Sequence, residues 1–94
     1  MGDDAEMRRK RALYRATHRG TKELDLMIGG FARAHLDKFS AAELSLFEKL
    51  LTMQDPALQT WVLDGHRPDF PEFGALIDDI RRFHGLAAAQ TFSH

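Results

Sequence analysis

No cysteine occurs among the 94 residues, which excludes a disulfide framework and every thiolate metal or redox site and is compatible with a reducing compartment. Charge of either sign is not in excess: 13 Lys and Arg face 14 Asp and Glu, a formal net charge of −1, so no global field drives the chain onto nucleic acid or a membrane. Long hydrophobic runs are absent as well, none approaching the ~18 apolar residues of a membrane span. The opening segment, with Asp3, Asp4 and Glu6, lacks the basic-then-apolar order of a signal peptide and the acid-poor character of a transit peptide. Glu6 stands where a myristoylation signal needs Ser or Thr. The expectation is a cytoplasmic protein with no membrane insertion. At this length one domain is the ceiling, and only about 60 to 70% of the unfolded chain's surface can be buried. That leaves little room for a deep substrate cavity and argues against a self-contained enzyme.

What is present is helix punctuation, with 44% apolar residues spaced near 3.6. Asp3 or Asp4 can cap a first helix running to about Thr17, whose modest apolar content (Met7, Ala12, Leu13, Tyr14, Ala16) predicts light anchoring. Thr21 can cap a second helix, with Glu23 and Asp25 in its first turn and Leu24, Met27, Ile28 and Phe31 as a core stripe. Gly29-Gly30 inside it costs roughly 1 kcal/mol per glycine and calls for close helix packing or a local bend. Ser40 to Glu43 forms a capping box ahead of Leu44, Leu46, Phe47, Leu50 and Leu51. Asp55-Pro56 reads as a cap followed by proline at the first helical position, and Gly65 closes a short helix carrying Leu58, Trp61, Val62 and Leu63. After Pro68 and Pro71, the residues Phe73, Leu76, Ile77, Ile80 and Phe83 mark a fifth helix ending near Gly85. The expected fold is all-α, a compact single-domain five-helix bundle, residues 1–94 with an ordered core of about 5–86 and a fraying tail at 87–94. Helices two, three and five supply most of the core. Trp61 shares the register of Leu58 and Val62, which favours packing over an exposed anchor role.

The near-neutral total hides an asymmetry. Residues 1–22 carry seven Lys or Arg against three acids, whereas residues 23–94 carry six against eleven. The basic set is Arg8, Arg9, Lys10, Arg11, Arg15, Arg19 and Lys22, able to meet phosphate or an acidic protein surface, or simply to solvate a helix face.

Motifs for chemistry are missing. His18, His35, His66, His84 and His94 form no HExxH-like spacing, so no metal is expected. Nucleophile elbow, dinucleotide fingerprint and phosphate loop are equally lacking, and catalytic residues are expected to be none. Asp78 and Asp79 point about 100° apart on a helix and read as solvated. The segment that stands apart is Arg19-Gly20-Thr21-Lys22-Glu23. Arg19 precedes the cap of helix two and Glu23 lies in its first turn, so both side chains can project from one corner. Gly20 either takes positive φ at the end of helix one or lets a partner's backbone come close. The plainer reading is a helical corner with an exposed ion pair worth at most ~1 kcal/mol.

The run from Arg11 to Phe31, with Arg19, Gly20 and Glu23 as an RGxxE string followed by Leu24-Asp25, then the helix Leu44 to Leu51, Asp55-Pro56-Ala57-Leu58 and Trp61, resembles the succinate dehydrogenase assembly factor 2 family, called SdhE in bacteria. The likeness covers roughly residues 8 to 84. It implies a small five-helix assembly factor, not an enzyme, that binds the flavoprotein subunit of succinate dehydrogenase, and in some bacteria fumarate reductase, and promotes covalent attachment of FAD to it. By that resemblance Arg19, Gly20 and Glu23 are partner-binding, joined by Arg15 and Lys22 from the same basic region. No tightly bound cofactor, no nucleic acid and a monomeric state are expected. The reactive atoms can all belong to flavin and client, so a helper need only stabilise the reactive arrangement by binding it preferentially. Gly20→Arg and Glu23→Ala should then lower client-bound flavin. Two other classes remain: a helical nucleic-acid module using the basic first helix, which predicts steep salt dependence, and an enzyme that itself transfers flavin, which predicts tight FAD binding.

Overall fold

The punctuation becomes five α-helices. In the computed structural model, which describes residues 2–88, these are α1 (Gly2–Thr17), α2 (Lys22–His35), α3 (Ala41–Leu51), α4 (Asp55–Leu58) and α5 (Gly74–Phe83). A 3-10 turn, Leu36–Lys38, extends α2, a π-helix, Gln59–Leu63, continues α4, and a second 3-10 turn, Pro71–Phe73, leads into α5. No β-strand occurs among the described residues. The expected tail lies, from residue 89 onward, outside them.

Local chemistry sets the boundaries. Ser40 Oγ accepts from Glu43 N at 3.1 Å while Ser40 N donates to Glu43 Oε1 at 2.7 Å, the complete capping box, which stabilises α3 by about 1 kcal/mol. At the end of α5, Gly85 takes φ +78°. Its N–H donates to Arg82 O, and that of Leu86 to Arg81 O at 2.8 Å, a Schellman closure. Two expected caps are displaced. Helix α1 begins at Gly2, so Asp3 and Asp4 lie within it, and Gln54, not Asp55, is the N-cap of α4, Asp55 being its first helical residue with its carboxylate taken by Arg19.

One core joins Leu24, Ile28 and Phe31 of α2 to Leu44, Phe47 and Leu50 of α3, Leu58, Trp61 and Val62 of the fourth segment, and Phe73, Ile77 and Ile80 around α5. Each of these large side chains is worth about 1.5–3 kcal/mol when fully buried. Trp61 is buried, with ring contacts to Phe70 and Phe73 at 6.1 and 6.0 Å, so it is core and not an exposed anchor. Phe83 departs from its stripe. It is exposed at the rim, edge-on to Phe31 and His35.

Helix α1 is held more firmly than its apolar content predicts. Ala12 and Ala16 are buried against α2, and a Cβ on Gly29 would stand 2.8 Å from Thr17 Cγ2 and 3.3 Å from Ala16 O. The glycine is thus the close-packing site that the Gly29-Gly30 pair calls for. Two arginines add fastenings: Arg8 Nη2 donates to Glu48 Oε1 at 2.6 Å, and Arg9 donates to the carbonyls of Leu36 and Phe39 at 3.2 and 2.9 Å. No helix among the described residues is long and apolar enough to cross a membrane.

Candidate partner-binding site

The five expected residues surround the turn between α1 and α2. Gly20 takes φ +103°, a conformation that L side chains rarely adopt, so its conformational freedom is used. The turn is tied down on both sides. Thr21 caps α2 through its hydroxyl, accepting from Leu24 N at 3.4 Å, and Asp25 Oδ1 accepts from the Arg19 N–H at 2.5 Å.

Arg19 does not project outward. Its side chain is only 12% exposed, and it pairs with Asp55 rather than with Glu23. Nη1 donates to Leu51 O at 2.6 Å, Nη2 to Met53 O at 2.7 Å, and Nη2 and Nε to Asp55 Oδ1 at 3.0 and 3.2 Å. Leu51 is the last residue of α3 and its carbonyl has no intrahelical partner, so a cation there also meets the negative end of the helix dipole. The planar guanidinium fork suits this work, binding two carbonyls and a carboxylate at once. Arg19 therefore clamps the α1–α2 turn onto the α3–α4 connection.

Around the clamp lies an open groove of about 740 Å³, lined by Tyr14, Arg15 and His18 on one side and Thr52, Gln54 and Asp55 on the other. Gly20 abuts its wall: a Cβ there would stand 3.8 Å from Asp55 Oδ2, an ordinary contact. The structure thus brings Arg15 and Arg19 to one groove and sets Arg19 and Gly20 beside Asp55. Lys22 and Glu23 are exposed in the first turn of α2, do not line the groove, and make no hydrogen bond or ion pair among the described residues. Arg15 is exposed too. Its charge helps hold the Glu48 carboxyl below the usual range, an effect dominated by the Arg8 hydrogen bond.

Among the lining residues that sequence reasoning overlooked are Tyr14, His18 and Asp55. Tyr14, counted as a core contributor, is 64% exposed, and its ring stacks on His18 at 4.0 Å and 17°. His18 Nδ1 lies 2.8 Å from the Tyr14 carbonyl, which can only accept, so Nδ1 carries a proton and donates. The i, i+4 spacing of 14 and 18 is the signal that could have found the pair. Asp55 has no such local signal, since its partner is 36 residues away. A second groove, of about 490 Å³ and floored by Phe31, His35 and Phe83, contains none of the five expected residues. No group of three or more acidic or His side chains able to hold a metal occurs among the described residues.

Known proteins with similar sequences bear on this corner. The family model described as flavinator of succinate dehydrogenase matches residues 10–84, from the middle of α1 to the end of α5. The chain belongs to that family. Among its relatives, the FAD assembly factor SdhE of Acetobacter pasteurianus is 47% identical over 60 residues, covering 64% of this chain and 55% of that protein. The FAD assembly factor SdhE of Legionella pneumophila (strain Paris) is 34% identical over 74 residues, or 79% of this chain and 92% of that protein. The mitochondrial succinate dehydrogenase assembly factor 2 of Scheffersomyces stipitis is 35% identical over 60 residues, 64% of this chain and 40% of that protein. The matched stretch is therefore about half the length of the first of these relatives and less of the yeast protein. No solved structure matches the chain significantly. For this flavinator family member, the matched region contains every residue of the Arg19 clamp and the groove.

Proposed function

We propose that the chain is an assembly factor that binds the flavoprotein subunit of succinate dehydrogenase and promotes covalent attachment of FAD to it, in the cytoplasm and as a monomer. The family match over residues 10–84 carries this reading. The same division of labour has the open groove beside the Arg19 clamp as a docking surface, with client and flavin supplying the reacting atoms. Binding that favours the reactive arrangement of flavin and client histidine is sufficient for a helper. Arg15, Lys22 and Glu23 are the outward groups available to the client, while Arg19 and Gly20 shape the turn that presents them. Fumarate reductase, whose flavoprotein subunit poses the same chemical problem, is a second client on this reading.

Co-expression of the client flavoprotein with and without the chain, read by in-gel flavin fluorescence after denaturation, tests the function. Covalent flavin should rise several-fold with the chain present, and equal fluorescence overturns the reading. Glu23→Ala is the clean site variant, because the Glu23 side chain makes no hydrogen bond or ion pair among the described residues and stabilises the fold only as a first-turn charge on α2, by at most about 1 kcal/mol. It should lower covalent flavin with the chain still folded, and a normal yield removes Glu23 from the contact surface.

A further inference from the structure

The α1 helix presents a solvent face that the fold leaves without a partner. Arg11, Tyr14, Arg15 and His18 recur at i, i+3, i+4 and i+7, and all four are exposed. The side of the same helix that carries Ala12, Ala16 and Arg9 is consumed by the fold, and Arg8, which flanks Arg11 and Arg15, is taken by Glu48. The basic N-terminal segment thus divides in two. Arg8, Arg9 and Arg19 are bound to Glu48, to helix-end carbonyls and to Asp55, whereas Arg11 and Arg15 make no hydrogen bond or ion pair among the described residues. Between these two cations sits the Tyr14–His18 stack, a large ring surface at a protein exterior, of the kind enriched at interface hot spots. Three members of the stripe, Tyr14, Arg15 and His18, also line the groove beside the Arg19 clamp, so the stripe and the groove form one continuous surface.

We infer that this surface is the docking face for an acidic polypeptide segment of the client, with carboxylates meeting Arg11 and Arg15 and chain or side-chain surface covering the Tyr14–His18 stack. The inference rests on the flavoprotein-binding reading above and names the surface that performs it. Charge complementarity selects an acidic partner, since neither cation is held in an ion pair among the described residues and Glu48, the carboxylate that Arg15 acts on from a distance, is bonded to Arg8. The far wall of the groove selects polypeptide over phosphodiester: Thr52, Gln54 and Asp55 supply acceptors for backbone N–H groups, which a phosphodiester backbone lacks. On the near wall, His18 Nδ1 lies within hydrogen-bond distance of the Tyr14 carbonyl and of Thr17 Oγ1, contacts within α1 that favour the stacked position of the ring and lower the side-chain entropy lost when it is covered.

The test is the affinity of the fluorescently labelled chain for the isolated succinate dehydrogenase flavoprotein subunit, measured by anisotropy at low and high salt. Tyr14→Ala should weaken binding about tenfold, and Arg15→Glu about tenfold at low salt with less at high salt. Arg11→Glu should have a smaller effect in the same direction. Lys38→Glu, in the 3-10 turn after α2 and outside the stripe, makes the same charge change and should leave affinity unaltered. All four positions are solvent-exposed, and unchanged melting temperatures establish that the variants fold. If the parent chain binds and the stripe variants bind equally well, the docking face is overturned while the function stands. If the parent chain does not bind the subunit, the functional reading falls, and the docking face falls with it. Binding of a duplex DNA or of anionic vesicles that is lost in Arg15→Glu, with subunit binding retained, overturns the acidic polypeptide as the occupant.

Discussion

Two corners of this molecule use the same device and put it to different ends. At each, a positive-φ glycine lies beside an arginine that donates to carbonyls at a helix end: Gly20 with Arg19 at Leu51 and Met53, and Gly65 with Arg81 at Val62 and Leu63. At the first corner the guanidinium is balanced by Asp55 and borders an open groove, and the glycine has space around it. At the second the arginine is buried at 8% exposure, and a Cβ on Gly65 would meet Arg81 Nη2 at 2.9 Å and Cζ at 3.0 Å. The difference separates a turn that must keep a surface open from one that must close the core. A glycine at the first answers to backbone conformation alone, and at the second to conformation and volume together.

The largest effect should come from the closed corner. Arg81→Met removes the donors to Val62 O, Leu63 O and Ala87 O, leaving carbonyls at the end of the π-helix unpaired, and should cost about 3 kcal/mol in urea unfolding. A loss below about 1 kcal/mol would make the buried guanidinium dispensable and break the comparison. Next come the glycines. Gly65→Ala should cost about 2–3 kcal/mol, because the left-handed strain is joined by displacement of Arg81, whereas Gly20→Ala should cost about 1–2 kcal/mol from strain alone. Equal losses at the two positions would show that space plays no part. The same reasoning alters how Gly20→Arg is read: it strains the turn in addition to obstructing a partner, so a drop in flavinylation with that variant needs a melting temperature beside it.

The open corner should respond more mildly. A double-mutant cycle on Arg19→Ala and Asp55→Ala should give a coupling of about 1 kcal/mol, discounted for side chains that are 12% and 31% exposed. Arg19→Lys keeps the charge and loses the fork, and should recover less than half of the Arg19→Ala loss. Full recovery would mean that charge at the α3 terminus, and not the guanidinium geometry, fastens the corner.

Legibility follows the range of the interactions. The capping box at Ser40, the stripes on α2 and α3, the burial of Trp61 and the positive φ of Gly20 are set within a few residues, and all could be read from spacing. The inward turn of Arg19 could not, because its acceptors lie 32 to 36 residues away and become neighbours only once α3 and α4 are in place. Tyr14 misled for a related reason. Beside Leu13 and Ala16 an aromatic ring reads as core, yet the buried side of α1 is filled by alanines because Gly29 brings α2 too close for anything larger. The short fourth helix was foreseen as one element, but its second half opens into a π-helix with Asp64 N donating to Gln59 O, a shift that neither residue announces. At the candidate site the RGxxE residues were recognisable by family, while their split into an inward clamp and outward groups required the fold.

The smallest expected effect lies at the exposed ion pairs, where no buried arginine or special glycine is involved. Glu48 is held below the ordinary glutamate range chiefly by its hydrogen bond from Arg8, and Glu72 likewise by that from Lys49. A carboxyl depressed in the folded chain binds its proton more readily when unfolded. Its contribution is therefore complete above the unfolded value, about pH 4.3, and is lost as pH falls through the folded one. The urea midpoint should be flat from neutrality to about pH 5 and decline below that, and the Arg8→Ala/Lys49→Ala double variant should show a shallower decline. The difference between parent and variant should shrink in high salt, because these pairs are solvent-exposed and screened, while the Arg81→Met loss should persist. An acid limb unchanged in the double variant would assign the low-pH loss to carboxylates other than Glu48 and Glu72.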